Sequence, residues 1–175
     1  ALTLRNLGTN GSLGSATNIS GTASFDGPLV QPVWVTLNTG NTSLYAGLSD
    51  GSGMVQIIFD PAGKVIDTLE IKDKGRNAAD QITAMATSTI AGVTFIFTVS
   101  AADLGVSAWQ VQNTGNLTVR ATLRPETGLR ASAPTAIETI TVNGQDYVIM
   151  AAAGSSSLTV MSTSVGGDLI VVDHV

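Results

Sequence analysis

Hydrophobic and polar residues alternate in short runs along this chain. Residues 117–123 read LTVRATL, with apolar side chains at every second position, and the turn sequence Asn113-Thr114-Gly115 comes just before them. Similar runs, rich in Val, Ile and Thr, recur between glycine-containing turns. Helical spacing fits only residues 78–86, and prolines in the aligned segments argue against a helix there. The pattern predicts an all-β protein.

The pattern also repeats at a constant interval. Two sets of glycines recur every 52 residues, namely Gly40, Gly92 and Gly144, and Gly63, Gly115 and Gly167. Five sets of apolar residues recur at the same interval of 52, and we call each set, with one residue from each repeat, a column. The columns are Leu44/Ile96/Val148, Tyr45/Phe97/Ile149, Met54/Val106/Leu158, Ile57/Trp109/Met161 and Val65/Leu117/Leu169. Agreement between glycine and apolar columns indicates an internal structural repeat.

Each repeat predicts four strands. In the second unit these are residues 81–90, 93–100, 105–112 and 117–123, with a loop at 101–104. The repeated glycines fall where hairpin turns need a positive φ, so Gly40, Gly92 and Gly144 are expected in equivalent turns.

Four-stranded units of about fifty residues in series are typical of β-propeller blades. A β-solenoid has shorter coils, and a β-sandwich has no reason to repeat at a fixed interval. The register predicts a half-blade at 1–26 and three blades at 27–78, 79–130 and 131–175. Within the half-blade, residues 1–20 are expected to pair as two strands that turn at Gly11.

The repeats resemble a known family. GVTFIFTVSAADLGVSAWQVQNTGNLTV and GQDYVIMAAAGSSSLTVMSTSVGGDLIVV look like lactonase-like, YVTN-type propeller blades. Both show a hydrophobic second strand, a short polar loop and Gly-x-Leu at the fourth strand, although the third strand opens on Gly-aliphatic only in the first segment. The resemblance is closest to the propeller repeats of secreted bacterial hemolysin-type calcium-binding proteins. It implies a propeller fold from about Gly27 onward, and the nonapeptide calcium repeats of that class do not occur in this sequence.

Three and a half blades do not complete a ring of four to eight. The open blade edges are expected to be covered by the remainder of the same polypeptide or by another subunit.

Composition narrows the range of partners. Charged residues make up 12% of the chain, the net charge is −5 and there is no cysteine. No basic surface for nucleic acid, no membrane-inserting segment, no disulfide and no thiolate metal site is therefore expected.

Candidate ligand-binding residues lie in the loops at one end of the predicted blades. They are Asp50 and Asp103 between second and third strands, and Arg76 and Arg130 between blades. Asp50 and Asp103 could help to hold calcium, but the third unit has serine at this place, and solvated turn residues are the favoured interpretation. We expect no bound metal or other cofactor, and no effect of calcium on the melting temperature.

The sequence offers no catalytic constellation. His174 is the only histidine, and no Gly-x-Ser-x-Gly elbow occurs. Glu138 is the one carboxylate within a first strand, where it could line a central channel. Trp34 and Trp109 lie in apolar strand patterns, which favours core packing over sugar stacking.

The sequence therefore favours a non-catalytic scaffold or a ligand- or partner-binding propeller segment. Low charge, threonine-rich strands, the absence of cysteine and the lack of catalytic groups favour this class. The resemblance implies an exported bacterial protein, extracellular or at the cell surface, that acts in adhesion or surface assembly. The alternative is part of a lactonase-like hydrolase whose active site lies partly outside this chain. That enzyme would need an acid/base or metal cluster that converges on the channel.

Overall fold

The computed structural model describes residues 3–5, 12–18, 28–73, 75 and 77–175. Strands form nearly all the regular structure of this part, with one 3-10 turn at Pro125–Thr127. None of the described segments forms a helix long and apolar enough to span a membrane. The predicted all-β class is confirmed.

The first two strands form a small sheet of their own. Strands β1 (Thr3–Leu4) and β2 (Thr17–Asn18) pair antiparallel, with Thr3 opposite Asn18. This pairing agrees with the expected hairpin, and the predicted turn at Gly11 lies outside the described residues.

Three four-stranded antiparallel sheets follow, each in simple chain order. We call them blades 1, 2 and 3. Blade 1 consists of β3 (Leu29–Thr36), β4 (Thr42–Leu48), β5 (Met54–Phe59) and β6 (Val65–Ile71). Blade 2 consists of β7 (Ile82–Ile90), β8 (Val93–Ser100), β9 (Gly105–Val111) and β10 (Leu117–Leu123). Blade 3 consists of β11 (Pro134–Val142), β12 (Gln145–Ala152), β13 (Ser157–Thr163) and β14 (Leu169–His174). Each sheet lies within one predicted blade, and the predicted boundaries between blades stay a prediction.

The blades pack face to face and meet along their first strands. β7 contacts both β3 and β11. The Thr139 hydroxyl of β11 donates to the Thr87 carbonyl of β7 over 2.9 Å, and the Thr83 hydroxyl donates to the Pro134 carbonyl at the same distance. The first strand of each blade is therefore the inner strand, as in a propeller.

The hydrophobic core lies between the blades. Between blades 2 and 3 it contains Phe95, Phe97, Val106, Met150 and Met161, all buried. Between blades 1 and 2 it contains Tyr45, Met54, Met85, Ile96 and Trp109. Alternate residues of each strand face opposite neighbours, so a middle blade buries both of its faces.

The first hairpin turn differs between blades. Gly92 and Gly144 end two-residue turns, because Ile90 pairs with Val93 and Val142 with Gln145. Gly40 also has a positive φ, +82°, but it lies in a longer turn between Thr36 and Thr42. The expectation of three equivalent turns was therefore wrong for Gly40. Equal spacing along the sequence concealed the longer hairpin loop.

Candidate functional site

The blades have two ends, and each end brings a different set of loops or turns together. We call the loop end the side with the loops between second and third strands, at 49–53, 101–104 and 153–156, together with the connections between blades. We call the turn end the side with the hairpin turns that contain the repeated glycines.

Asp103, one of the predicted ligand residues, fastens the connection between blades 1 and 2. Its Oδ2 accepts hydrogen bonds from the backbone N–H groups of Ala79 and Asp80, both over 3.0 Å, and from the Ser100 hydroxyl over 3.2 Å. Its Oδ1 lies 3.5 Å from the Arg124 guanidinium. These contacts occupy the carboxylate with the protein's own groups.

Arg124 completes this clamp. It starts the connection from blade 2 to blade 3, and its Nη2 also donates to the Asn77 carbonyl over 3.3 Å. The salt bridge is only partly exposed, with 34% and 21% of the Arg124 and Asp103 side chains accessible. The pair therefore joins two successive connections, which the sequence analysis did not predict.

The other candidate residues of the loop end lie apart from this clamp. Asp50 and Arg130 are exposed, and the Arg130 carbonyl accepts a hydrogen bond from the Ser155 hydroxyl over 3.4 Å. Arg76 lies outside the described residues. Glu138 is exposed on the inner strand β11, opposite Ile149. The ligand-binding roles of these residues stay predictions.

His174 joins the last strand to the preceding connection. Its Nδ1 lies 2.9 Å from the Thr159 hydroxyl and its Nε2 lies 3.0 Å from the Gly128 carbonyl. Both ring nitrogens thus have protein partners. Within the described ranges, no three His, Asp or Glu side chains gather in a group that could hold a metal ion.

A cleft of about 570 Å³ opens at the turn end between blades 1 and 2. It is lined by segments 35–38, 92–94 and 110–114. The Asn38 amide donates to the Asn113 side-chain carbonyl across it, over 2.7 Å. The described lining residues carry no charge and combine threonine, asparagine and glutamine side chains with the apolar Val35, Leu37, Val93 and Val111.

A buried polar group lies in the same junction. The third-to-fourth-strand turn of blade 2 places the Gly115 carbonyl against blade 1, where it accepts hydrogen bonds from the Tyr45 hydroxyl, 2.5 Å away, and the Gln56 amide, 3.0 Å away. Gln56 also lies 2.9 Å from the Ser43 hydroxyl. Burial raises the pKa of Tyr45, and its hydrogen bonds with Ser43 and Gln56 oppose that rise.

The equivalent turn of blade 3 packs on blade 2 without polar contacts of this kind. A Cβ placed on Gly167 would lie 2.5 Å from the Phe95 ring and 2.9 Å from the Arg120 Cβ. In blade 1, a Cβ on Gly63 would meet nothing within 4 Å among the described residues. Two of the three turns are therefore seated on the preceding blade.

The outer face of blade 3, which points away from blade 2, is not covered by the described part of the chain. We call it the open face and define it by Tyr147, Ile149, Leu158 and Val160. Leu158 is 47% exposed, whereas Met54 and Val106 in the same column are fully buried. On the opposite side of the array, Leu44, Val55 and Ile57 of blade 1 are buried within the chain.

The two tryptophans have different environments. Trp109 is buried, and its indole N–H donates to the Thr98 hydroxyl over 3.0 Å, so core packing is confirmed. Trp34 is 57% exposed, and the prediction that it packs in the core was wrong. The pairing pattern explains the miss, because the long hairpin of blade 1 shifts Trp34 out of the register that the sequence suggests.

Comparisons with known proteins support the fold. No protein-family model matches the chain, and no curated protein sequence matches it. A protein from Lactobacillus plantarum is similar in structure, with 14% identity, a TM-score of 0.59, and coverage of 99% of this chain and 50% of that protein.

Two glycoside-degrading enzymes are also similar in structure. An exo-β-1,3-galactanase from Phanerochaete chrysosporium gives 10% identity, a TM-score of 0.61, and coverage of 93% of this chain and 40% of the enzyme. An α-L-arabinofuranosidase from Clostridium thermocellum gives 13% identity, a TM-score of 0.51, and coverage of 96% and 64%. At these identities the likeness establishes the fold alone. The chain folds into β-propeller blades and spans less than two thirds of each of these solved structures.

Proposed function

We propose that this chain is a non-catalytic, partner-binding segment of a β-propeller, and that the open face of blade 3 binds a further four-stranded blade. The supporting observation is the repeat itself. The column positions that form the open face are buried in both blades that have a following blade. The positions equivalent to Ile149 are Tyr45 and Phe97, both inaccessible to solvent.

The side chains of the open face are mostly apolar, so contact with another blade suits them better than exposure to solvent. Its defining residues are one tyrosine and three aliphatic side chains, and each is at least partly exposed. Burying such side chains is favourable, at about 25 cal/mol per Å² of apolar area. A further blade would present its own glycine turn to Tyr147, as blade 3 presents Gly167 to Phe95.

The test compares two leucine- or valine-to-lysine substitutions in blade 3. Leu158→Lys places a charge on the open face, whereas Val165→Lys changes an exposed turn residue outside it. We expect the 175-residue chain to associate with increasing concentration in sedimentation equilibrium, Val165→Lys to behave like it, and Leu158→Lys to remain monomeric.

Experiments on a longer polypeptide show whether the same chain or another subunit supplies the further blade. If the remainder of the same chain covers the face, the longer protein is monomeric and Leu158→Lys destabilises it. If another subunit covers the face, the longer protein remains oligomeric and Leu158→Lys dissociates it. A 175-residue chain that stays monomeric at high concentration, with Leu158→Lys equally stable and soluble, would refute the proposal.

We propose that this segment belongs to an exported bacterial protein, at the cell surface or outside the cell, with a role in adhesion or assembly. The support is the resemblance of the repeats to propeller repeats of secreted bacterial proteins, and the charged fraction of 12% is compatible with it. Surface labelling of cells that express the full protein tests this location, and a purely cytosolic signal would contradict it.

A second candidate is part of a hydrolase whose active site extends beyond this chain. The similar structures include glycoside-degrading enzymes of which this chain spans 40% and 64%. Glu138 lies on an inner strand and is exposed. Assays of the longer polypeptide on chromogenic glycosides and lactones test this candidate. Glu138→Gln should abolish turnover, whereas Glu126→Gln, in the connection after blade 2, should not.

A further inference from the structure

Trp34 departs from the repeat at a position that contacts the preceding blade in blade 3. In each blade the inner strand pairs one residue with the column Leu44/Ile96/Val148, and those residues are Trp34, Thr87 and Thr139. Thr139 uses its hydroxyl to donate to the preceding blade at the Thr87 carbonyl. An indole cannot make this hydroxyl contact. Blade 1 therefore has a large exposed ring at the position where the other two blades have threonine.

The exposed ring lies between two clefts. One, of about 360 Å³, is lined by the hydroxyl-bearing residues Thr36, Thr87, Ser88, Thr89 and Thr94. The other, of about 430 Å³, includes Phe59, whose ring centroid lies 5.6 Å from that of Trp34 at an interplanar angle of 38°. Phe59 is buried, so it supports the indole while one side of Trp34 remains accessible.

The lining is rich in hydroxyls and almost free of charge. Among the described lining residues the one charged residue is Asp60, whose Oδ1 accepts hydrogen bonds from the backbone N–H groups of Ala62 and Lys64 inside its own turn. No Lys or Arg is found among the described residues that line the two clefts, so these residues offer a phosphate group no cationic partner. The cores between neighbouring blades contain large buried apolar side chains such as those of Met85, Phe97 and Val106, whereas hydroxyl-bearing residues line the smaller cleft beside Trp34.

A flat apolar ring beside a row of hydroxyls suits a ligand with one apolar face and a hydroxyl-bearing edge. A pyranose ring has this form. We propose that Trp34 is the stacking platform of a binding site for a neutral saccharide, with hydroxyls of the β3 and β7 strands, such as those of Thr36 and Thr87, facing the sugar edge. This site is separate from the open face of blade 3 and does not depend on the function proposed above.

The test uses the intact 175-residue protein and three neutral probes: xylotriose, cellotriose and maltotriose. Calorimetric titration should detect at least one of them, and Trp34→Ala should weaken that binding about tenfold or more. Trp34→Tyr keeps a flat ring and should retain most of the affinity. Because Trp34 is exposed, both variants should unfold at nearly the same temperature as the parent.

Tryptophan fluorescence gives an independent readout. In Trp109→Phe the exposed indole is the only tryptophan and can be excited selectively over the two tyrosines, so saccharide should change its emission and protect it from acrylamide. Thr36→Val should weaken binding without altering the fluorescence of the free protein. The proposal is overturned if none of the three probes binds at millimolar concentration, if Trp34→Ala binds as well as the parent, or if trigalacturonic acid, which is charged, binds as well as the neutral sugars.

Discussion

The junction between blades 1 and 2 and the junction between blades 2 and 3 share one repeat but use different chemistry. In the first, the Gly115 carbonyl is bound by Tyr45 and Gln56 in a buried hydrogen-bonded group. In the second, Gly167 packs on the Phe95 ring. The positions equivalent to Tyr45 and Gln56 in blade 2 are Phe97 and Ala108, both buried and apolar.

The difference shows which feature of a blade junction is fixed and which is variable. The glycine turn that seats on the preceding blade is common to both junctions, because each turn comes too close to its neighbour for a side chain. The surface that receives it can be polar or apolar. A polar surface requires that every buried donor and acceptor finds a partner, and an apolar one requires only a close fit.

The largest loss of stability should come from removing a large side chain from the apolar junction between blades 2 and 3. Phe97→Ala removes a fully buried ring, and we expect a loss of about 3–5 kcal/mol in the free energy of unfolding. Ile149→Ala, in the same column on the open face, should cost much less because its side chain is already partly exposed. Urea denaturation measures both, and similar losses would show that the open face is packed as tightly as the junction.

The glycine turns allow the two junctions to be compared directly. Gly115→Ala and Gly167→Ala both place a Cβ 2.5 Å from an atom of the preceding blade, whereas Gly63→Ala meets no described atom. All three positions have φ between +80° and +90°, so they share a conformational cost of about 1–2 kcal/mol. The two seated turns should lose about 1–3 kcal/mol more. Equal destabilisation of all three variants in thermal unfolding would contradict the seating of the turns.

The polar junction should show pairwise coupling. Tyr45→Phe and Gln56→Leu each remove a hydrogen bond to the Gly115 carbonyl, and together they leave it without either partner. A double-mutant cycle should give a coupling free energy of about 0.5–1.5 kcal/mol. Pairing Tyr45→Phe with the distant Leu158→Ala provides the control, and there the effects should add.

The smallest effect should be a pH dependence confined to the polar junction. Burial raises the pKa of Tyr45 above its ordinary value of 10.0. The unfolded chain then releases this proton at a lower pH than the folded chain, so the stabilisation is complete below pH 10 and is lost as pH rises towards the folded pKa. Above pH 10, Tyr45→Phe should lose stability less steeply than the parent, by up to about 1.4 kcal/mol per pH unit. Chemical denaturation at a series of pH values measures the free energy of unfolding of both proteins. If the two free energies fall in parallel above pH 10, this prediction is refuted.

The sequence predicted the blade fold well because its strongest signals are local. Alternation located strands such as β8 and β10 at their observed bounds, and the glycines at 115 and 167 lie in the predicted turns. These features depend on neighbouring residues, which a sequence displays directly.

The candidate site was harder to predict because it depends on distant residues. Asp103 was a candidate ligand residue with a solvated turn residue as the favoured interpretation, and its bonds to backbone N–H groups more than 20 positions away were not predicted. Trp34 was assigned to the core because its strand is apolar, and only the pairing with Leu44 reveals that its counterparts are Thr87 and Thr139. Packing of a loop on the connection between blades decides the first case, hairpin length and strand register decide the second, and none of these follows from periodicity.

The simple strand order of the blades has a consequence for folding. In the described part of the chain, every sheet is built from strands adjacent in the sequence, and no strand is exchanged between blades. Each blade can therefore form from local contacts before it docks, and cooperativity passes only between nearest neighbours, as in a one-dimensional array. Native-state hydrogen exchange should therefore differ between the blades. Blade 2, which is packed on both faces, should have the highest free energy of opening, and blade 3, which is packed on one face, should open at a lower free energy. The chain would then unravel from the end of blade 3 inwards, one sheet at a time.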